Sequence, residues 1–380
     1  MRSVSENIIP LDASVLQHID SCLGCRACET ACPSGVEYGD ILEHFRADIE
    51  SEGIRGGGQK LARRQLLATL TNPVRLAASL KIAGALRKLT GRDGKLPPFA
   101  SAMITGDPNA EVTLPALPAS VRVGKLPETS PPIGEKRFRV GVLAGCVMRV
   151  LYHDTNLATV RVLQRAGCEV FAPRSAGCCG ALHLHSGYLA DAKDRARALI
   201  DAIEPFRLDA FIVNSAGCGS TVKEYGALLL DDPVCSQRAA AFSAKVKDIC
   251  EFLFEIDAAP PPGRFDKTVA YHDACHLAHG QKIVSQPREL LRAVRGLNLV
   301  EIPESDTCCG SAGIYNLTQP EMARKLLNRK VEFIANSGAE VVATGNPGCL
   351  AWIQQGLKER GISIDVMHPV EILDAAFRSK

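Results

Sequence analysis

An internal repeat constrains the fold of this chain more than any other feature of its sequence. Three cysteine positions within residues 146–218 recur within residues 275–349 at offsets of 129, 130 and 131 residues. Each copy carries a single cysteine, then a Cys-Cys-Gly triplet, then another single cysteine. The first quartet is Cys146, Cys178, Cys179 and Cys218, and the second quartet is Cys275, Cys308, Cys309 and Cys349. Three nearly constant offsets indicate that one structural unit was duplicated.

Short apolar runs alternate with helical patterns in both copies. We predict strands at 138–143, 169–172, 210–214, 268–271, 299–302 and 341–344, and helices at 155–165, 190–203, 287–294 and 321–336. This alternation predicts an α/β fold with mainly parallel sheets. The cysteines follow predicted strands, and ligands bind at the carboxyl edge of such sheets, so we expect each quartet to converge on one pocket.

A different cysteine pattern lies near the start of the chain. Residues 22–33 read CLGCRACETACP, in which Cys22, Cys25, Cys28 and Cys32 have the spacing of a ferredoxin-type [4Fe–4S] site. The two-residue gaps let one tight turn present three thiolates to neighbouring irons, and the N–H groups of the turn stabilise an anionic cluster. Zinc sites usually pair two separate C-x2-C units, which this stretch lacks. We therefore predict a [4Fe–4S] cluster here and a redox role for the chain.

The quartets leave more alternatives open than the opening motif does. They could hold iron–sulfur clusters or zinc, or be buried structural cysteines, although two matched quartets argue against the last. We expect Gly180 and Gly310 to let the backbone pass close to an inorganic group. The three cysteines without a counterpart in the repeat are interpreted as ordinary buried or surface residues: Cys168, Cys235 and Cys250.

Histidines cluster near both quartets and could ligate metal, couple to protons or form hydrogen bonds with sulfur. They are His153, His183 and His185 in the first copy and His272, His276 and His279 in the second. We favour supporting hydrogen bonds over ligation, with Asp154 and Asp273 as candidates to orient the rings.

The chain divides into five predicted segments. They are a ferredoxin-type segment (1–50), a basic helical segment (51–95), a proline-rich connector (96–136), and two cysteine-rich α/β domains, which we call the first repeat (137–262) and the second repeat (263–380). Helices are predicted at 60–70 and 74–88, on either side of Pro73. Residues 55–95 hold ten Lys or Arg and one acid, so they could contact an anionic membrane or an acidic partner, or form a solvated face. The connector, with eight prolines in residues 96–132, is expected to be extended.

Composition excludes several classes of protein. A net charge of +2 provides no overall electrostatic attraction for nucleic acid. The first residues lack a signal-peptide pattern, and no apolar run approaches the roughly 18–20 residues of a membrane span. Fifteen cysteines without an export signal favour reduced, metal-binding thiols in the cytoplasm, with peripheral contact at the inner face of the membrane as an option.

Both patterns resemble a known family. The quartets are similar to the CCG domains found in heterodisulfide reductases and in the iron–sulfur subunits of 2-hydroxyacid and glycerol-3-phosphate dehydrogenases. The stretch CLGCRACETACPSGVEYGDILE most resembles the second ferredoxin motif of glycolate oxidase iron–sulfur subunits. That family normally carries two such motifs, and this sequence matches the second. Either Cys32 closes the same cluster, or a partner completes the site, or the start is shortened.

The resemblance implies an iron–sulfur electron-transfer subunit of a flavin-dependent glycolate or D-lactate dehydrogenase. It implies one to three [4Fe–4S] clusters on this chain, the flavin on a partner subunit, and a quinone-level electron acceptor. No Gly-rich dinucleotide motif follows a predicted strand, which agrees with a flavin bound elsewhere. A thiol–disulfide reductase like heterodisulfide reductase is the alternative, but Ser215 and Asn346 replace one cysteine of its motif in each copy. A zinc-bound or metal-free scaffold is the third hypothesis.

Overall fold

The computed structural model describes residues 1–90, 95–113 and 121–379 of the chain. Parts of three predicted segments therefore lie outside the described residues, namely 91–94 of the basic segment, 114–120 of the connector and the last residue of the second repeat. The fold is mixed α/β with two separate sheets, as predicted.

The two sheets have the same internal strand order. The first contains β1 (Thr129–Ser130), β2 (Phe138–Val142), β3 (Cys168–Phe171), β4 (Ala210–Val213) and β5 (Val246–Asp248) in the order β1-β3-β2-β4-β5. The second contains β6 (Thr268–Tyr271), β7 (Asn298–Val300), β8 (Val341–Ala343) and β9 (Asp365–Met367) in the order β7-β6-β8-β9. The pairings among these nine strands are parallel, except that of β1 with β3. Apart from β1, the second sheet repeats the first.

Helices cover both faces of each sheet. The first repeat contains α8 (Val147–Leu151), α9 (His153–Arg165), α10 (Ala181–Leu184), α11 (Leu189–Ile203), α12 (Ala216–Lys223), α13 (Tyr225–Leu228), α14 (Ser236–Ser243) and α15 (Ile249–Glu255). The second contains α16 (Ser285–Arg292), α17 (Tyr315–Thr318), α18 (Pro320–Ala335), α19 (Pro347–Glu359) and α20 (Pro369–Arg378). A 3-10 turn (Glu204–Phe206) and a π-helical turn (His276–Gly280) complete them. The central strand Ala210–Val213 is buried on both faces, and its sequence is therefore apolar throughout.

Within the described part of the chain, seven helices precede the first repeat. They are α1 (Arg2–Ser5), α2 (Ala13–Asp20), α3 (Ala27–Ala31), α4 (Tyr38–Glu52), α5 (Gly57–Leu70), α6 (Pro73–Thr90) and α7 (Pro98–Thr105). Asp12 begins α2 by accepting hydrogen bonds from the N–H groups of Ser14 and Val15. Ile19 of α2 packs with Leu42, Phe45 and Ile49 of α4 in a small apolar core beside the opening motif.

Most predicted elements agree with the structure, and the differences have local reasons. α5 and α6 are the two predicted basic helices, and Pro73 begins the second of them, where its missing N–H costs nothing. The connector is not extended throughout, because Pro98–Thr105 form α7. Thr129–Ser130, at its other end, are extended as β1. Sequence analysis missed β5 and β9 because each has only three residues, two of which are charged in β5.

The two repeats share an apolar core. Val162 and Leu163 of α9 and Phe252 of α15 pack in one buried cluster with Val370 and Leu373 of α20. The last helix of the second repeat therefore packs against α9 and α15 of the first repeat. Among the described residues, no helix is both long enough and apolar enough to cross a membrane.

Candidate metal centre

Both quartets lie beyond the carboxyl ends of the parallel strands, as the sequence predicts. In the first repeat, Cys146 follows β2, the Cys178–Cys179 pair follows β3, and Cys218 lies in α12 after β4. The second repeat places its four cysteines after β6, β7 and β8 in the same way. Parallel strands end at one edge of a sheet, so residues that are distant in sequence meet there.

The four sulfur atoms of the first quartet form a continuous group. The Sγ atoms of Cys146 and Cys178 are 3.8 Å apart. Cys179 contacts both Cys178 and Cys218 through side-chain hydrogen bonds. Hydrogen bonds from Cys146 and Cys179, with help from the N–H of Gly180, lower the pKa of the Cys178 thiol. This set of donors favours a thiolate, which is the form that binds metals.

The second quartet has the same connectivity. Cys275 contacts Cys308, which contacts Cys309, and the Sγ atoms of Cys309 and Cys349 are 3.5 Å apart. The N–H of Gly310 donates to Cys308 Sγ at 3.4 Å, as that of Gly180 does to Cys178 Sγ at 3.5 Å. Each repeat therefore brings its predicted four thiols together.

Gly180 and Gly310 are also required by the packing around the two Cys-Cys pairs. Both adopt positive φ, at +84° and +90°, and a side chain at either position would approach the backbone of a neighbouring helix. A Cβ on Gly310 would lie 2.6 Å from the carbonyl oxygen of Ala323 in α18. The glycines thus let the Cys-Cys turn pack closely on α11 and α18.

The opening motif lies against the second quartet. Cys275 is among the charged neighbours that raise the pKa of Cys25, after the larger effect of burial. The N–H of Gly24 donates to Cys22 Sγ at 3.5 Å. Backbone N–H groups of Val36, Ser34 and Gly35 lower the pKa of the Cys32 thiol. The turn therefore directs donors at its sulfurs, as predicted for an anionic cluster.

One cavity of about 590 Å³ connects the three cysteine sets. Its walls include Cys22 of the opening motif and every cysteine of the two quartets. On another side it is lined by Leu66 and Leu70 of α5 and by Leu76 and Leu80 of α6. Thiols from segments more than 300 residues apart in sequence, Cys22 and Cys349, thus face the same space.

Three of the predicted histidines contact the opening segment through one ring nitrogen. His276 Nε2 is 3.1 Å from the carbonyl oxygen of Gly24, and His279 Nδ1 is 3.0 Å from Thr30 Oγ1. His185 Nδ1 is 2.6 Å from Glu43 Oε1 in α4. The rings of His185 and His276 pack in a tilted arrangement with centroids 4.8 Å apart. These contacts join the first repeat, the second repeat and the opening segment.

The other three histidines have distinct surroundings. His183 accepts a hydrogen bond from Arg195 Nε at 3.1 Å, and His153 packs against Gly124 of the connector. His272 is fully buried beside the second quartet, and burial lowers its pKa to about 3. Asp273 does not orient a histidine as expected, because its carboxylate forms a bidentate ion pair with Arg288 at 2.7 Å.

Sequence reasoning missed two cations near the sulfurs. Arg46 of α4 donates to the carbonyl oxygens of Cys22 (2.7 Å) and His185 (2.8 Å), and burial lowers its pKa. Lys330 of α18 is buried beside the second quartet and donates to Thr307 Oγ1 at 3.2 Å. Neither had a sequence signal, since their partners are distant along the chain.

The donor set fits iron–sulfur clusters. Clustered thiolate ligands select iron–sulfur clusters, zinc or copper(I) over hard cations. Backbone N–H groups that donate to the Sγ atoms of Cys22, Cys178 and Cys308 supply the hydrogen bonds that iron–sulfur clusters need. Cys168, Cys235 and Cys250 are buried away from the cavity walls, which agrees with their interpretation as packing residues.

Comparison with known proteins agrees with this arrangement of sites. The family model described as "CCG: Cysteine-rich domain" matches residues 140–223 and 269–354, one match in each repeat. The chain is 37% identical to a probable glycolate oxidase iron–sulfur subunit of Bacillus subtilis, over 98% of this chain and 85% of that protein. It is 34% identical to the glycolate oxidase iron–sulfur subunit of Escherichia coli, over 96% of this chain and 83% of that protein. It is 32% identical to lactate utilization protein A of Oceanobacillus iheyensis, over 62% of this chain and 97% of that protein.

Proposed function

Because the chain belongs to the family of glycolate oxidase iron–sulfur subunits, we propose that it is the electron-transfer subunit of a flavin-dependent 2-hydroxyacid dehydrogenase. In this proposal a flavin on a partner subunit oxidises glycolate or D-lactate, and this chain conducts the electrons to a quinone-level acceptor. The observation that carries the proposal is the convergence of both quartets and Cys22 of the opening motif on one cavity. Iron–sulfur clusters bound there would supply one-electron transfer.

The protein's own residues bind and shield these groups. The thiols of the opening motif and of the two quartets are the proposed ligands, with one [4Fe–4S] cluster at the motif and up to three on the chain. Backbone N–H groups at Gly24, Gly180 and Gly310 point at sulfur and favour the thiolate state. Cys179 and Cys309 are themselves buried, which limits the access of solvent to these two sulfurs.

Conduction rather than disulfide cleavage is supported by the residues beside the last cysteine of each quartet. Asn346 Nδ2 lies 3.6 Å from Cys349 Sγ, and Ser215 forms a hydrogen bond with Cys218. An amide and a hydroxyl therefore occupy the positions where a fifth thiol would complete the reductase motif. Hydrogen bonds of this kind tune a cluster's potential without binding it.

The residues of α5 and α6 support the proposal that a quinone-level acceptor reaches the cavity beside these two helices. The inner faces of these helices present leucines to the cavity, while their outer faces expose Val74 (69% exposed) and Ile82 (62% exposed). Arg64, Arg75 and Lys81 are exposed or partly exposed on the same helices. Not all of the basic side chains face outward, because Arg55 and Arg63 are buried. A basic surface with apolar side chains suits contact with an anionic membrane.

The first test is iron and acid-labile sulfide per chain on anaerobically purified protein, with EPR of the reduced state. Three loaded sites correspond to about twelve irons, and the opening motif alone to about four. Cys179→Ser and Cys309→Ser are each expected to lose the iron of one site. Cys250→Ser, a buried cysteine outside the quartets, is the matched control and is expected to lose none. Equal losses in all three variants would argue against the assignment.

The second test concerns the partner and the acceptor. Tagged chain expressed in its native host should co-purify with a flavoprotein, and the complex should reduce a quinone with glycolate or D-lactate as donor. Oxidation of glycolate by the isolated chain, or co-purification without any flavoprotein, would refute the proposal. Sedimentation with anionic vesicles, compared between the wild type and Val74→Ser/Ile82→Ser, tests the membrane contact.

A further inference from the structure

The second quartet has a nitrogen atom beside its sulfurs. His272 follows β6 directly, is fully buried, and places a ring nitrogen within 4.8 Å of the Sγ atoms of Cys309 and Cys349. Those two sulfurs are themselves 3.5 Å apart. These three donor atoms thus lie close enough together for a single metal ion to bind all of them.

The hydrogen bond made by His272 determines which nitrogen is available. Nδ1 is 3.0 Å from the carbonyl oxygen of Ser305, and because a carbonyl can only accept, Nδ1 carries the proton. Nε2 is therefore left with a lone pair. It has no hydrogen-bond partner among the described residues, although it is buried. A buried polar atom without a partner is costly, and a bound ion is one explanation for it.

This arrangement is typical of metal-binding histidines. In such residues one ring nitrogen donates to a carbonyl or carboxylate, which sets the tautomer and the ring orientation, and the other binds the metal. A neutral His272 cannot donate a hydrogen bond to a thiolate through Nε2. A supporting hydrogen bond to sulfur, the role favoured from sequence alone, is therefore not available to it in this orientation.

Within the described residues, no histidine of the first repeat lies in such a group with two cysteines. The offset that relates Cys146 to Cys275 places Leu143 at the position of His272, and Leu143 is buried in an apolar cluster. Likewise the offset of the Cys-Cys pairs places Ile200 at the position of Lys330. The duplicated sites therefore share their cysteines and differ in the other groups that face the sulfurs.

We propose that His272 is a metal ligand of the second quartet, binding through Nε2 beside Cys309 and Cys349, so that this site combines nitrogen with sulfur whereas the first is all sulfur. The inference rests on the proposed function, which supplies the iron–sulfur cluster as the bound group. Since Nε2 carries no proton, it binds without releasing one. A neutral imidazole brings no negative charge to an iron–sulfur cluster, whereas a thiolate does, so the two repeats would hold sites of different reduction potential.

The test is pulsed EPR on reduced, anaerobically purified full-length protein, with and without ¹⁵N-labelled histidine. Wild type is expected to show a strong nitrogen coupling that changes with the label, and this measurement needs no variant. The coupling should be lost in His272→Leu, which copies the first repeat. It should persist in His368→Asn, a control at an equally buried histidine that caps α20. The His272→Cys variant should bind iron but show no nitrogen coupling, and its cluster should have a lower reduction potential than that of the wild type.

The outcomes separate this inference from the function on which it rests. Iron and sulfide without any histidine coupling would overturn the role of His272 and leave the electron-transfer function intact. If the second site holds zinc instead, zinc X-ray absorption should detect a nitrogen ligand that disappears in His272→Leu. Its absence would again refute the inference. Protein that binds neither iron, zinc nor sulfide would overturn both.

Discussion

Gly187→Ala is expected to separate the opening segment from the first repeat. Gly187 has a φ of +86°, and a Cβ built there would lie 2.7 Å from the carbonyl carbon of Arg46 and overlap its oxygen. Forcing a non-glycine residue into this conformation costs about 1–2 kcal/mol. Overlap with helix backbone, which cannot rotate away as a side chain can, adds about 1–3 kcal/mol. The overlap would disturb the packing of α4 on the first repeat. Glu43 and Arg46 of α4 both form hydrogen bonds with His185 of that repeat.

Gly338→Ala is the matched control. Gly338 also has positive φ, at +71°, but a Cβ there meets nothing within 4 Å. Both variants therefore bear the conformational cost, and only Gly187→Ala bears the overlap.

Hydrogen exchange followed by mass spectrometry measures the difference in α4. The overlap of about 1–3 kcal/mol corresponds to exchange roughly 5- to 150-fold faster in residues 38–52 of Gly187→Ala than in the wild type. Gly338→Ala should leave that helix unchanged. Equal exchange of α4 in both variants, or protection like that of the wild type in Gly187→Ala, would refute the packing argument.

Three further predictions concern buried polar groups. Burial raises the pKa of Asp248 from 3.8 to about 7, so the folded state retains a proton that the unfolded chain releases. The free energy of unfolding should therefore fall as pH rises from about 4 to about 7, by at most about 4 kcal/mol. Asp248→Asn, which can still cap α15, should flatten that pH dependence in thermal unfolding; an unchanged slope would contradict it. Arg288→Met leaves the buried Asp273 carboxylate without its ion pair and should destabilise the protein by about 3–5 kcal/mol in urea, and Arg288→Met/Asp273→Asn should recover part of this loss. Tyr225→Phe removes a 2.7 Å hydrogen bond to the carbonyl oxygen of Cys179 and should cost about 1 kcal/mol; no loss would mean that water or another donor replaces it.

Much of the fold could be read from local pattern. The parallel strands around each quartet were predictable because a buried strand such as Ala210–Val213 is apolar throughout and is followed by a helical repeat. The short edge strands β5 and β9 were not, since three residues with charged members carry no periodic signal. Helix α7 was hidden because the prolines around it indicated an extended chain, although Pro98 begins the helix.

The histidines show where sequence reasoning ended. All six were identified by their proximity to cysteines along the chain. Proximity in sequence did not distinguish His276, which contacts Gly24, from His272, which lies in one group of possible metal ligands with Cys309 and Cys349. That choice depends on ring orientation, and the orientation is set by Ser305, which lies 33 residues away.

The sequence by itself determined which thiols form each set. The spacing of Cys22, Cys25, Cys28 and Cys32 and the offsets of the two quartets are local or repeated, so pattern alone identifies them. Only the tertiary structure decided that both quartets and Cys22 face one cavity, and that Cys25 neighbours Cys275. It also decided that His272 lies in one group with Cys309 and Cys349. The physical reason is that spacing and periodicity describe one strand, turn or helix at a time. Contacts between elements hundreds of residues apart arise from how those elements pack, and no local pattern encodes that packing.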